Sequence, residues 1–337
     1  MDIRIISINF YRITVNCEET FALVVLFYNN FLYNRLRLPV SMSFFDETLR
    51  GKYGPGEPRS RSLVDHWGIK KLYPSIPGGR EFYMPEIDIG AVGAVNRIRS
   101  TEMVVRGNGS VNPNGIWYVM NGSAPRLYVY KSDSMEPFTW DAHYWHNVEM
   151  TCYYHRDTEA DNVRGFHLAA TGFHEYGGTA AEVYYLSHLF ADRQFAFGKE
   201  NKHGGGPSEG YADPIRAPAP PMDVNRWYGL KFVVRTGSVD KIEIQPQPEG
   251  KGRVEVLATR LYTDLEGYAD DTDGQHGGSW RKVIEFRDDG NWLHPPNGRY
   301  PPWTYGHSCF VRSDAVRNFL INRFSIRTIA VRPWYIP

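Results

Sequence analysis

Short runs in which apolar and polar residues alternate recur along most of this chain. The clearest is Val148-Glu149-Met150-Thr151-Cys152-Tyr153-Tyr154-His155-Arg156. Successive side chains of a strand point to opposite faces, so this run sets Glu149, Thr151, Tyr153 and His155 on one face and Met150, Cys152 and Tyr154 on the other. A second run, Phe195-Ala196-Phe197-Gly198-Lys199-Glu200, leads into a charged cluster closed by His203. Further strands are predicted over 98–106, 115–120, 126–130, 147–156, 165–171, 183–189, 194–200, 228–236, 241–245, 254–264, 280–286, 308–312 and 323–331, between Gly- and Pro-rich turn signals. A short edge strand is expected at 67–74, stopped by Pro74, and a helical turn or two at 314–320. Many strands without long helical patterns between them predict an all-β fold, an antiparallel sandwich or barrel. No fixed-period repeat is visible, which weighs against a propeller or solenoid.

The flanking segments divide the chain. Residues 1–50 open on β-branched positions and continue into a mixed apolar run, and they read as an N-terminal extension or arm. Residues 51–66, with Gly54-Pro55-Gly56 and Arg59-Ser60-Arg61, read as a linker, leaving 67–337 as the sheet domain. Two Pro- and Gly-rich insertions, 203–223 and 288–305, are loops of the kind that rim binding sites or simply run over the surface.

Composition narrows the partners. Lys+Arg and Asp+Glu both number 38, so the formal net charge is zero, and no block of like charges points to nucleic acid or an anionic membrane. Any charge selectivity must be local. Among 337 residues, 22 Tyr and 9 Trp offer flat amphipathic faces, which can stack on sugars or fill a β core. The three cysteines, Cys17, Cys152 and Cys309, make neither a disulfide framework nor a metal-binding spacing, and two buried thiols at 152 and 309 are favoured over a bridge. The N-terminus lacks a signal-peptide pattern, and the apolar run 21–27 is too short to span a bilayer as a helix.

Three kinds of chemistry fit these residues. Removing the C5 proton of a uronic acid by β-elimination needs a base, an acid for the leaving oxygen, and donors that neutralise the carboxylate. Tyr153 and His155 are the candidate acid/base pair, His167 and Arg193 the candidate neutralisers, with Glu149, Lys199, Glu200, His203 and Lys231 as substrate-binding groups. The bland alternative is that these side chains are cross-strand packing partners and solvated ion pairs. A glycoside hydrolase would need two carboxylates roughly 5–10 Å apart; no Glu-x-Asp-x-Glu run provides them on one strand. The loop residues Asp270, Asp271 and Asp273 have the oxygen-donor character of a calcium site or of a plain hairpin turn, and calcium is the one cofactor suggested, none being required. A phosphate-cradling glycine loop, a Gly-x-Ser-x-Gly elbow and a His-Glu-x-x-His motif are all absent.

The strand-rich part from about Trp67 to Arg332 resembles the concanavalin A-like jelly-roll superfamily of lectins, glucanases and polysaccharide lyases, and within it the alginate- and glucuronan-lyase-like proteins. The residues that carry the resemblance are the runs 148–156 and 228–235, the entry Trp227-Tyr228-Gly229-Leu230-Lys231, the strand Phe324-Ser325-Ile326-Arg327, and Arg99-Ser100-Thr101-Glu102, a loosened form of that group's Arg-Ser/Thr-Glu motif. Its Gln-Ile-His and Tyr-Phe-Lys-Ala-Gly motifs do not occur. What the resemblance implies is a jelly-roll β-sandwich and a polysaccharide partner, in an extracellular or cell-surface setting. The competing expectations are a non-catalytic glycan-binding module and a structural assembly protein whose 1–50 arm exchanges between copies to form a homo-oligomer.

Overall fold

The computed structural model describes residues 64–65, 68–77, 79–84, 96–97, 104–107, 110–111, 117–119, 126–130, 144–156, 165–172, 182–201, 210–221, 223–246, 253–270, 279–295, 298–314 and 319–330. The 1–50 extension, nearly all of the 51–66 linker, Arg99 to Glu102, His203, Asp271 and Asp273 lie outside them.

Eighteen strands appear among the described residues. The first six are β1 (Glu81–Tyr83), β2 (Asn96–Arg97), β3 (Val104–Gly107), β4 (Ser110–Val111), β5 (Trp117–Val119) and β6 (Arg126–Tyr130). Then come β7 (Val148–Arg156), β8 (Gly165–Gly172), β9 (Val183–Leu189), β10 (Gln194–Glu200), β11 (Ile215–Pro218) and β12 (Arg226–Pro246). The last are β13 (Arg253–Asp270), β14 (Arg281–Asp288), β15 (Leu293–His294), β16 (Gly298–Arg299), β17 (Ser308–Asp314) and β18 (Phe319–Thr328). Among the described residues there is no α-helix, and so no helix long and apolar enough to cross a membrane.

Two antiparallel eight-stranded sheets hold nearly all of these strands. Sheet 1 runs β14-β13-β12-β7-β18-β5-β4, with β1 also on β18; sheet 2 runs β11-β10-β9-β8-β17-β6-β3-β2. The chain crosses between sheets repeatedly, and its last long strands enter the middle of each, β17 between β8 and β6 and β18 between β7 and β5. The architecture is an antiparallel jelly-roll β-sandwich.

Period-two alternation builds the core between the sheets. Met150, Cys152, Tyr154, Leu230, Phe232 and Ile326 of sheet 1 meet Phe166, Leu168, Leu186, Phe195, Phe197 and Val311 of sheet 2, all essentially inaccessible. Rings touch across the gap, Tyr154 on Phe166 at 4.3 Å and Phe197 on Phe232 at 5.8 Å. Each such side chain contributes about 1.5–3 kcal/mol by leaving water. Cys152 and Cys309 both lie in this core as free thiols.

Four expected elements change. The predicted strands 228–236 and 241–245 are one 21-residue strand, β12. Gly237 does not break it, because Tyr262 lies directly opposite and its ring fills the space a Cβ at 237 would take. Of the helical turn expected at 314–320, residues 315–318 lie outside the described residues, while its ends are strand: Asp314 closes β17, and Phe319 and Leu320 pair with Arg156 and His155 of β7. The 67–74 strand is a turn at its start, where Gly68 adopts φ 78° and the Ile69 N–H donates to Asp65 Oδ1 at 2.8 Å. Finally, β11 and the small β15–β16 hairpin form inside the two insertions expected to be loops.

Candidate functional site

The strand 148–156 does split its faces as alternation requires, and its polar face is the outer face of sheet 1. Glu149 is wholly buried there. It accepts hydrogen bonds from Lys231 Nζ, from Arg327 Nη2 at 2.6 Å, and from the backbone N–H of Tyr73 at 3.1 Å. Arg327 also pairs with Asp65, and Lys231 Nζ donates to the Lys70 carbonyl at 2.7 Å. Segment 68–77 therefore lies over these charges and is tied to them through its backbone. Burial alone would raise the Glu149 carboxyl, but Lys231 and Arg327 overcome it and hold it below its ordinary value. Burial likewise lowers the Lys231 ammonium, to about 8 despite Glu149. Next along β7, the Tyr153 hydroxyl donates to Asp270 Oδ2 at 3.0 Å, and its ring meets Trp280. Gly229 is opposite Tyr153, and a Cβ there would come within 2.9 Å of the Tyr153 ring and 2.8 Å of Trp280. His155, half-buried, packs on Trp227.

The outer face of sheet 2 is built differently. One cross-strand row, set by register, runs Arg126 (β6), Arg312 (β17), His167 (β8), Ser187 (β9), Ala196 (β10) and Arg216 (β11). The neighbouring row is Tyr128, Phe310, Ala169, Tyr185 and Gly198. Each of these residues alternates with a core residue of its own strand, so all face outward. The small side chains Ala169, Ser187, Ala196 and Gly198 lie in these two rows between Arg312 on one side and Arg216 on the other. At the spacing of neighbouring strands those two arginines stand about 19 Å apart.

Most of this face is buried, with Ala169, Phe310, Tyr128, Tyr185, Ala196, Ser187 and His167 all at 8% exposure or less, and Arg216 and Tyr211 reach solvent at its edge. Arg312 grips Asp314 bidentately, at 2.6 and 3.0 Å. Arg216, with its side chain 44% exposed, reaches Gln194 at 2.6 Å and Asp192 at 3.4 Å. His167 contacts Ser187 Oγ through Nδ1 at 2.7 Å and Asp314 through Nε2 at 3.4 Å. Burial would raise the Asp314 carboxyl, yet His167 and Arg312 hold it well below the carboxylate range. Glu200 accepts from the hydroxyls of Tyr185 at 2.6 Å and Tyr211 at 2.8 Å, and Tyr211 is exposed at the rim. Tyr128 stacks on Tyr130, and Tyr130 on His307.

The residues expected to converge are thus separated. Glu149, Tyr153, His155, Lys231 and Asp270 share the outer face of sheet 1, while His167 and Glu200 lie on the outer face of sheet 2, across the sandwich. Tyr153 is only 2% exposed, is hydrogen-bonded to Asp270, and lies on the opposite outer face from His167. Arg193 occupies the exposed β9–β10 turn at φ 50°, where its N–H closes the turn on the Phe190 carbonyl. Lys199 is not at a rim. It points into the sandwich, 2.7 Å from Asp288, and donates to the carbonyls of Tyr300 and Pro301, pinning that loop. Asp270 is occupied by Tyr153, and among the described residues no group of three His, Cys, Asp or Glu side chains could hold a metal ion.

Ser187, Arg312, Asp314 and Arg216 were not singled out from sequence. Alternation in Val183-Tyr184-Tyr185-Leu186-Ser187 and Phe310-Val311-Arg312-Ser313-Asp314 does place them on polar faces; what it lacks is the knowledge that β17 lies beside β8.

No protein-family model and no curated protein matches the chain. Solved structures with a similar course include a carbohydrate-binding module, CBM66, from Bacillus subtilis, at 10% identity and TM-score 0.35, covering 68% of this chain and 97% of that one. Winged bean acidic lectin, solved with methyl-alpha-D-galactose, aligns at 7% identity and TM-score 0.38 over 75% of this chain and 100% of its own. A Bacillus subtilis protein of unknown function with a galectin-like fold aligns at 14% identity and TM-score 0.37, over 73% of this chain and 100% of that one.

Proposed function

We propose that this chain binds an acidic polysaccharide along the outer face of sheet 2. The observation that carries the proposal is the Arg126-Arg312-His167-Ser187-Ala196-Arg216 row, which combines guanidinium groups at both ends with small side chains between them. A sugar polymer that meets this row sets carboxylates or sulfates on the arginines, whose planar forks suit both. The face also supplies the residue types for β-elimination on a uronate: Arg312 to neutralise the carboxylate, and His167 and Tyr211 for proton transfer.

Calorimetric titration with uronate-containing and neutral polymers tests the proposal. The acidic polymers bind, affinity falls as salt is raised, and Arg312→Gln weakens binding about tenfold, the worth of one charge-assisted contact. Equal binding of neutral polymers would sink the acidic assignment. An unsaturated, ultraviolet-absorbing product from the same incubation marks a lyase; binding without it marks a non-catalytic module.

A further inference from the structure

Within the sheet 2 face, a serine, a histidine and an aspartate stand in line. Ser187 and His167 are register partners on neighbouring strands, with Oγ 2.7 Å from Nδ1, and the far ring nitrogen faces Asp314 Oδ2 at 3.4 Å. Both are nearly buried, Ser187 7% and His167 8% exposed, beside the partly exposed Arg312. We propose that Ser187 is a nucleophile, activated by His167, that removes ester-linked acyl groups from a molecule lying on this face. Nucleophile, base and orienting carboxylate are the three roles that acyl transfer requires, whatever the fold.

The chemistry balances without a cofactor. Ser187 Oγ attacks the acyl carbon while its proton passes to His167 Nδ1. The ester C–O bond then breaks, and the departing alkoxide takes that proton to become a free hydroxyl. Water next attacks the acyl-serine, His167 accepting its proton, and release of the carboxylic acid returns the proton to Ser187. Asp314 is a positioning residue: held anionic by Arg312, it favours the tautomer with hydrogen on Nε2, leaving Nδ1 free to accept from the serine.

One feature limits speed. Strands β8 and β9 are central, so their backbone N–H groups belong to the sheet ladder and cannot form an oxyanion hole. Stabilisation of the oxyanion falls to the Arg312 side chain, opposite His167 in the row. Turnover is then slow, and covalent capture is the sensitive assay. An acylated glycan as natural substrate rests on the proposed groove; the reactivity of Ser187 does not.

The full chain is incubated with a fluorophosphonate probe, digested and mapped by mass spectrometry, and in parallel passed over an acidic-polysaccharide resin. The expected adduct sits on Ser187. It disappears in Ser187→Ala and forms about a hundredfold more slowly in His167→Gln; Asp314→Glu labels faster than Asp314→Asn. An adduct elsewhere, or none, in the unaltered chain overturns the inference even if a variant fails to fold. Retention on the resin without an adduct removes the nucleophile alone; an adduct without retention keeps the nucleophile and removes the glycan groove.

Discussion

The two outer faces of the sandwich come from the same alternating code and differ in what lies on top of them. On sheet 1, segment 68–77 covers Glu149, Lys231 and Arg327, and each of these three charges has a buried partner. On sheet 2 the middle of the face is buried as well, His167, Ser187, Ala169 and Phe310 at 8% exposure or less, while Arg216 and Tyr211 at its edge reach solvent. A strand face rich in Glu, Tyr and His is therefore not evidence of a site by itself. Covered, such residues are structural and hold a segment down; a ligand can meet only groups that reach solvent, as Arg216 and Tyr211 do at the edge of sheet 2.

The sharpest way to break this contrast is to remove one charge from the covered face. Glu149→Gln leaves Lys231 and Arg327 buried without their common carboxylate, and taking one partner from a buried pair typically costs about 3–5 kcal/mol. Chemical denaturation should show a loss of that size, with the affinity for acidic polymers in the surviving folded fraction unchanged. A loss under about 1 kcal/mol, the range of surface pairs, would mean that segment 68–77 does not seal the face.

A second measurement separates burial from covering, using a group inside the sandwich. His294 is 2% exposed, and burial, helped by Lys199, lowers its pKa from the usual 6.5 to about 4. A base held low in the fold is neutral in both states above pH 6.5, so stability is complete there. As pH falls from 6.5 toward 4 the unfolded chain takes up the proton first, and stability drops by up to about 3 kcal/mol. His307, likewise lowered by burial to about 4, steepens the same limb. His294→Gln should flatten the profile between those pH values, while Tyr211→Phe on the open face should leave it alone. An unchanged slope in His294→Gln would count against the buried neutral imidazole.

How much of this was legible beforehand depends on range. Strands β6, β9 and β10 fall where alternation and turn residues place them, because those signals are local. The two faces of β7 were legible for the same reason. Which face is covered was not, since Glu149 meets Leu72 and Tyr73, and Arg327 meets Asp65, through contacts far apart in sequence. Nor was the sheet 2 row, which exists only because β17 inserts between β8 and β6. Lys199 misled for a simpler reason: a lysine two residues past the core-facing Phe197 looks like a rim residue until the end of β14 brings Asp288 to it.

The smallest expected change in stability belongs to Arg216, and it defines the open face most finely. Its ion pair with Asp192 is solvent-exposed and loose at 3.4 Å, so Arg216→Ala should shift unfolding by no more than about 0.5 kcal/mol. Its place in the row predicts a larger effect on binding. If a polymer spans from Arg312 to Arg216, losing one charged contact weakens the complex about tenfold, and the loss adds to that of Arg312→Gln because the two guanidiniums share no partner. Oligomers too short to reach both arginines should be indifferent to Arg216→Ala yet still respond to Arg312→Gln. Should long polymers be equally indifferent, the groove ends before β11, and the ligand occupies only the row between Arg312 and Ala196.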